Sequence, residues 1–148
     1  MPKRSKARVL ALQIIFQLQA QSDNFLERID DFVKEAALDA SLSRYGRELA
    51  LGTWQNRSEA DELINKFARD WQASTLPAVD LAILRLAICE MLHQTSVPDK
   101  VAIDEAIKLA KTYSTERSSK FINGLLDTIM KSTVAQAENL PPGGDSTE

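Results

Sequence analysis

The sequence predicts an all-α fold, and three observations predict it. Apolar residues recur at spacings of three and four through most of the chain, as they do on one face of a helix. Only five Gly and five Pro occur in 148 residues, so long stretches lack a helix breaker. We find no segment that alternates apolar and polar residues as a half-buried strand does. With 44% apolar residues, the chain should form one domain with its own core.

The N-terminal half contains four predicted helices with an apolar stripe, and the last three follow a polar residue suited to a helix start. The first helix runs over 8–21. The second begins after a cap at Asp23 or Asn24 and ends at Ala36, and the third runs over 45–55 after a cap at Ser43. The fourth is introduced by Asn56 and Ser58 and extends to Trp71. Pro77 then marks a break, because proline fits a first helical turn and disfavours helix before it.

The C-terminal half contains three more predicted helices. The fifth, over 78–92, is apolar all round, so we expect it to be the central helix of the core. The sixth carries Ala102, Ala106 and Ala110 at four-residue steps, which permits close contact with another helix. The seventh covers 119–130. The domain should therefore span 1–131, and the Pro-Pro-Gly-Gly run and scattered acids predict a disordered acidic tail over 132–148.

Charge is distributed unevenly along the chain. The net charge is −3, yet Lys3, Arg4, Lys6 and Arg8 form a basic arm over residues 1–8 that contains no acid. A local cluster of this kind suits contacts with the phosphates of a nucleic acid. Taken alone, however, a basic arm is more commonly a solubilising terminus. No apolar run approaches 18 residues and no signal-peptide pattern is present, so we expect a cytoplasmic protein without a membrane segment.

Few residues suggest chemistry. Cys89 and His93 share a helix face, but no further Cys or His completes a metal site or a catalytic set. We therefore expect no enzymatic activity, no metal and no cofactor. Arg85 and Glu90 interrupt the most apolar helix and should each have a charged or hydrogen-bonding partner. Gly124 lies within an apolar helical run, which predicts close approach of another helix.

Two aromatic residues are candidates for nucleic-acid contact. Phe16 and Phe121, the latter beside Lys120, could stack on unpaired bases while lysines contact phosphates. Taken singly, each Phe more often belongs to the core. Spacing alone does not show whether these side chains and the basic arm converge on one surface.

Three ordered motifs in the C-terminal half add a more specific signal. They are Leu84-Arg85-Leu86-Ala87 with Glu90, Val101-Ala102-Ile103-Asp104-Glu105-Ala106 with Leu109-Ala110-Lys111, and Phe121-Ile122-Asn123-Gly124-Leu125-Leu126-Asp127. With these motifs the chain resembles the NusB family of transcription antitermination factors over roughly residues 4–131. The resemblance implies a helical bundle of about seven helices in two three-helix halves.

The resemblance also implies a function and a set of site residues. Family members bind the boxA RNA element of ribosomal RNA operons as a heterodimer with NusE, a ribosomal small-subunit protein, and join the RNA polymerase antitermination complex. Some form homodimers. The RNA-binding residues it implies are Lys3, Arg4, Lys6, Arg8, Phe16, Asp80, Lys120 and Phe121.

Two other functions fit the same residues. The chain could be a helical adaptor that binds only proteins, with a basic arm that never contacts RNA. It could also be a stand-alone relative of the NusB-like domain that is attached to ribosomal RNA methyltransferases. Salt-dependent binding of RNA would distinguish an RNA-binding factor from an adaptor, because phosphate contacts weaken as salt rises.

Overall fold

A computed structural model describes residues 2–138, with side chains over 4–133, and all of its regular structure in that range is helical. The seven α-helices are α1 (Pro2–Gln21), α2 (Ile29–Ala36), α3 (Ala40–Gln55), α4 (Arg57–Phe67), α5 (Ala78–His93), α6 (Asp99–Tyr113) and α7 (Glu116–Glu138). Short 3₁₀ segments cover Ser22–Arg28 and Ala73–Thr75. The all-α prediction is confirmed.

The helices form two groups of three. Helices α1, α2 and α3 pack on one another, as do α5, α6 and α7, and α1 also packs along α5. Helix α4 follows the first group and contacts α5 and α7. Helix α5 is the central element, because its side chains are buried on every side, including Ile83, Leu84, Leu86 and Ile88. The residues of the sixth helix's alanine stripe, Ala102, Ala106 and Ala110, are also buried.

Several helix boundaries differ from those that the sequence predicts. Helix α1 begins at Pro2 rather than Arg8, so the basic arm is the first part of a helix. Helix α3 begins at Ala40, because the Asp39 carboxylate accepts a hydrogen bond from the Leu42 backbone N–H at 3.0 Å and caps it. The prediction that Ser43 caps this helix was therefore wrong.

The ends of two later helices also differ. Helix α4 ends at Phe67, and Trp71 lies beyond it with half of its surface exposed. Helix α7 runs from Glu116 to Glu138, past the residue at which the tail was predicted to begin. The rest of that tail, 139–148, lies outside the described residues.

One glycine fixes how closely two helices approach. A Cβ on Gly46 of α3 would lie 2.8 Å from the Ala7 carbonyl oxygen of α1, closer than real side chains come. Gly124 has no such neighbour: a Cβ there would meet nothing within 4 Å, and the residue is exposed. The prediction of a close helix contact at Gly124 was wrong, because its position in α7 faces solvent.

Candidate functional site

The first turns of α1 are anchored by a buried ion pair. Arg8 is 3% exposed and Glu90 is 1% exposed. The Arg8 guanidinium donates through Nε to both oxygens of Glu90 at 3.0 Å and through Nη2 to Oε2 at 2.9 Å. Arg8 therefore joins α1 to α5 and does not face solvent, where an RNA contact was expected. A buried cation needs such a partner, and Glu90 is that partner.

Neighbouring groups extend this pair into a network. The Tyr45 hydroxyl of α3 donates to Glu90 Oε2 at 3.4 Å, and the Ser5 hydroxyl donates to Glu105 of α6 at 2.8 Å. Burial disfavours the charged form of Arg8, but the hydrogen bond and the negative charge of Glu90 outweigh that effect and raise the pKa of Arg8. The network thus holds α1, α3, α5 and α6 together around a charged arginine.

The other basic residues of the arm point in different directions. Arg4 and Lys6 are both exposed, but two residues along a helix turn the side chain through roughly 200°. The Arg4 guanidinium lies over the Tyr45 ring of α3, 4.7 Å from its centroid. Lys6 lies on the open face of α1. The Lys3 side chain is outside the described residues. The arm is therefore divided between two surfaces.

Phe16 lies on the open face of α1 beside a groove. Its side chain is 38% exposed, and the groove has a volume of about 370 Å³. Its walls come from α1, α2, α5 and α6 and include Phe32, Val79 and Tyr113. Tyr113 is itself 44% exposed. Two exposed aromatic rings beside an open groove are suited to stacking against planar groups.

A second groove, of about 430 Å³, contains Phe121. Its other lining residues are Trp71, Leu76, Pro77, Asp80, Arg117 and Ser118. Lys120 is exposed next to it on α7. Asp80 is 3% exposed and accepts hydrogen bonds from the hydroxyls of Ser114 at 2.6 Å and Ser118 at 2.7 Å.

The resemblance implied that Asp80 contacts RNA, but the structure gives its carboxylate partners within the protein. One carboxylate oxygen accepts a short hydrogen bond from Ser114, just after α6, and the other accepts one from Ser118, in the first turn of α7. Asp80 therefore fixes the junction of α6 and α7 relative to the start of α5, and its charge is satisfied within the protein.

The start of α5 brings the two grooves side by side. Val79 lines the first groove and Asp80, the next residue, lines the second. The Gln19 side chain of α1 donates to the Ala78 carbonyl at 2.9 Å and fixes α1 against this turn. Phe16 and Phe121 thus lie on neighbouring grooves, whereas Lys6 lies ten residues before Phe16, roughly 15 Å along the helix.

The sequence did not identify several residues of these surfaces. Tyr113, Trp71 and Tyr45 were not selected as candidates, although each is a large side chain that leaves an aromatic ring partly exposed. A signal was available for Tyr113 and Trp71, since both fall at or beyond the end of a helix. No sequence signal indicated that Tyr45 would lie beneath Arg4.

The remaining polar candidates have structural partners. Arg85 donates to Asp61 of α4 at 2.9 and 2.7 Å and to Gln19 of α1 at 3.1 Å. Cys89 is buried, and burial raises the pKa of its thiol. His93 contacts Glu59 at 2.8 Å on the surface. Within the described part of the chain, no cluster of three metal-binding side chains occurs and no helix has the length and apolarity to cross a membrane.

Comparison with known proteins assigns the family. The model of the NusB family matches residues 5–131. The chain belongs to the NusB family. Two relatives named transcription antitermination protein NusB support the assignment. The one from Acetivibrio thermocellus is 40% identical over 135 residues, covering 91% of this chain and 93% of that protein. The one from Symbiobacterium thermophilum is 41% identical, covering 86% and 89%.

Solved structures of NusB proteins share the fold. A crystal form of Thermotoga maritima NusB superposes with a TM-score of 0.79 at 37% identity, covering 86% of this chain and 90% of that one. A structure of the antitermination factors NusB and NusE in complex with double-stranded RNA superposes with a TM-score of 0.80 at 25% identity, covering 89% and 98%. The chain therefore matches NusB proteins over nearly their whole length.

Proposed function

We propose that this protein is a non-enzymatic, cytoplasmic transcription antitermination factor that binds boxA RNA of ribosomal RNA operons together with NusE. The observation that carries the proposal is the pair of grooves at the start of α5. Each contains a partly exposed phenylalanine in a chain that belongs to the NusB family. An exposed lysine, Lys120, lies next to the second groove, and another, Lys6, lies on the same helix as Phe16, roughly 15 Å from it.

The grooves have the chemistry of a single-stranded RNA site. Unpaired bases stack on aromatic rings, and lysines neutralise the phosphates between them. Phe16 and Tyr113 supply rings in one groove, and Phe121 supplies a ring in the other. Lys6 and Lys120 are exposed on α1 and α7 and supply positive charge. Arg8 and Asp80 support this surface from within, because both are buried and paired inside the protein.

A protein partner is part of the proposal. The relative solved with NusE and RNA has the same fold over 89% of this chain. We propose that NusE binds this protein in the same manner and that the pair joins the RNA polymerase antitermination complex. An RNA that contacts both proteins would bind the heterodimer more tightly than either protein alone, because the second contact is then intramolecular.

Variants at the two grooves test the proposal. A labelled boxA RNA is titrated with the heterodimer of this protein and NusE, and a scrambled RNA serves as the control. Lys6→Ala and Lys120→Ala should each weaken boxA binding about threefold to tenfold, the loss of one phosphate contact, and Phe16→Ala should weaken it similarly through lost stacking.

Lys131→Ala is the matched control. Lys131 is also an exposed lysine, but it pairs with Asp127 at 3.0 Å and lies 11 residues after Lys120 on α7, roughly 16 Å along the helix. It should leave RNA binding unchanged. If NusE binds but boxA RNA binds no better than the scrambled RNA, the protein is an adaptor and the RNA proposal fails.

A further inference from the structure

A third surface depression lies between the start of α1 and the first turns of α3. It has a volume of about 210 Å³ and is lined by Arg4, Ser41, Leu42, Arg44, Tyr45 and Glu48. We call it the α1–α3 pocket. Its exposed lining is more polar than apolar, unlike that of the two aromatic grooves. Arg4 and Arg44 are both exposed at its edge.

Tyr45 forms a rigid wall of this pocket. Its ring lies 4.7 Å from the Arg4 guanidinium carbon, and its hydroxyl donates to the buried Glu90 carboxylate at 3.4 Å. Glu90 is in turn held by Arg8. One face of the ring therefore restricts where Arg4 can point, while the hydroxyl is fixed to the core. A cation held against an aromatic face loses less side-chain freedom when it binds a ligand.

Arg44 supplies a second positive charge that is not used elsewhere in the described structure. Among residues 4–133 it forms no ion pair, whereas Arg47, one turn further along α3, pairs with Asp30 at 2.9 Å. Two guanidinium groups at the edge of one small polar pocket match the oxygens of a phosphate, which arginine binds through paired N–H donors.

We propose that the α1–α3 pocket binds a backbone phosphate of the RNA, with Arg4 and Arg44 as the contacts and Tyr45 as the positioning residue. The inference rests on the proposed function and deepens it, because it extends the RNA surface from α1 and α7 onto α3. The path of the RNA would then cross the N-terminal end of α1 on the side opposite Lys6.

Glu48 provides a test in which the change in RNA affinity should have the opposite direction. Its carboxylate lines the same pocket and would repel a phosphate. Glu48→Gln should therefore strengthen RNA binding, whereas Arg44→Gln should weaken it. A pocket that does not contact RNA would give the same affinity for both variants, apart from a small effect of net charge that a control can measure.

The experiment uses the full chain with NusE and a boxA RNA that extends several nucleotides on each side, measured at two salt concentrations. Arg44→Gln should weaken binding about threefold to tenfold and reduce the slope of log affinity against log salt by about 0.7, the value for one phosphate on a single strand. Arg47→Gln is the control, with the same charge change on the same helix but outside the pocket. It should change neither quantity.

Tyr45 is tested by a pair of variants. Tyr45→Leu removes the ring and should lower both the affinity and the salt slope, because Arg4 is no longer positioned. Tyr45→Phe keeps the ring beneath Arg4 and should restore most of the slope. NusE binding is measured for each variant, so that loss of folding is recognised separately.

The outcomes separate this inference from the proposed function. If Arg44→Gln and Glu48→Gln bind RNA as Arg47→Gln does, while Lys6→Ala still weakens binding, the α1–α3 pocket is not an RNA site and the proposed function stands. If the unmodified heterodimer does not bind boxA RNA, the proposed function itself fails.

Discussion

Removing either partner of the buried Arg8–Glu90 pair should destabilise the protein strongly. Three N–H···O hydrogen bonds of 2.9–3.0 Å join side chains that are 4% and 1% exposed, so each single substitution leaves a charge without its partner in the core. Breaking a buried pair in this way costs about 3–5 kcal/mol. For a chain of this length that corresponds to a decrease in Tm of roughly 6–20 °C.

The two single substitutions should lower the free energy of unfolding by different amounts. In Glu90→Ala, Arg8 keeps a weaker contact with Glu105 at 3.7 Å, so the loss of stability should be about 3 kcal/mol. In Arg8→Ala, Glu90 keeps only the 3.4 Å hydrogen bond from Tyr45, so the loss should be about 5 kcal/mol. The double variant Arg8→Met/Glu90→Leu should cost far less than the sum, because apolar replacements leave no unpaired charge.

Urea unfolding measures these free energies. Circular dichroism follows the helices, and the fluorescence of Trp54 and Trp71 gives an independent probe of the same transition. Single variants that each lose less than about 1 kcal/mol, or a double variant that loses the sum of the two, would show that the pair does not hold α1 on α5. RNA-binding tests at Arg8 would also be misleading, since unfolding would lower the affinity by itself.

Three further predictions concern other parts of the fold. Burial raises the pKa of the Cys89 thiol above its ordinary value of 9.0, so the folded state binds that proton more tightly. The free energy of unfolding should therefore fall as pH rises above 9.0. In urea titrations, Cys89→Ala should remove this part of the fall. Gly46→Ala should cost about 1–3 kcal/mol because its Cβ meets the backbone of α1, whereas Gly124→Ala should stabilise α7 by about 0.5–1 kcal/mol, both measured by thermal unfolding. Asp80→Asn replaces one acceptor oxygen with a donor and should cost about 1–2 kcal/mol, with faster hydrogen exchange at the start of α7.

Each of these predictions has a contradicting result. An alkaline fall of equal size in Cys89→Ala would mean that the thiol is not the group responsible. Equal stability of the two glycine variants would mean that α1 and α3 can separate without cost. Unchanged exchange at the start of α7 in Asp80→Asn would mean that other contacts hold that segment in place.

Much of the fold could be predicted from periodicity because the core depends on apolar spacing. The central position of α5 followed from its apolar residues on all sides, and the burial of the alanine stripe of α6 followed from its regular four-residue step. Helix starts were less predictable where a distant contact decides them. Helix α1 begins at Pro2, and its first turns dock on Glu90 and Glu105, residues more than 80 positions away along the chain.

The site was less predictable for the same reason. Charge placed Arg8 in the basic arm and the resemblance placed Asp80 on the RNA surface, yet partners from elsewhere in the chain bury both. A side chain's direction on α1 could be predicted from helical geometry, but not which neighbour meets it. Tyr45 illustrates the difference, since only the packing of α3 on α1 brings its ring beneath Arg4 and its hydroxyl to Glu90.

This protein and NusE are expected to bind boxA RNA through contacts with its phosphates. The most direct test is the affinity of the heterodimer for a labelled boxA RNA at about 50 and about 200 mM salt, compared with each protein alone. NusE should tighten binding, the affinity should fall steeply with salt, and Lys6→Ala should reduce the slope of log affinity against log salt. An affinity that depends neither on NusE nor on salt would mean that the heterodimer does not hold boxA RNA through its phosphates.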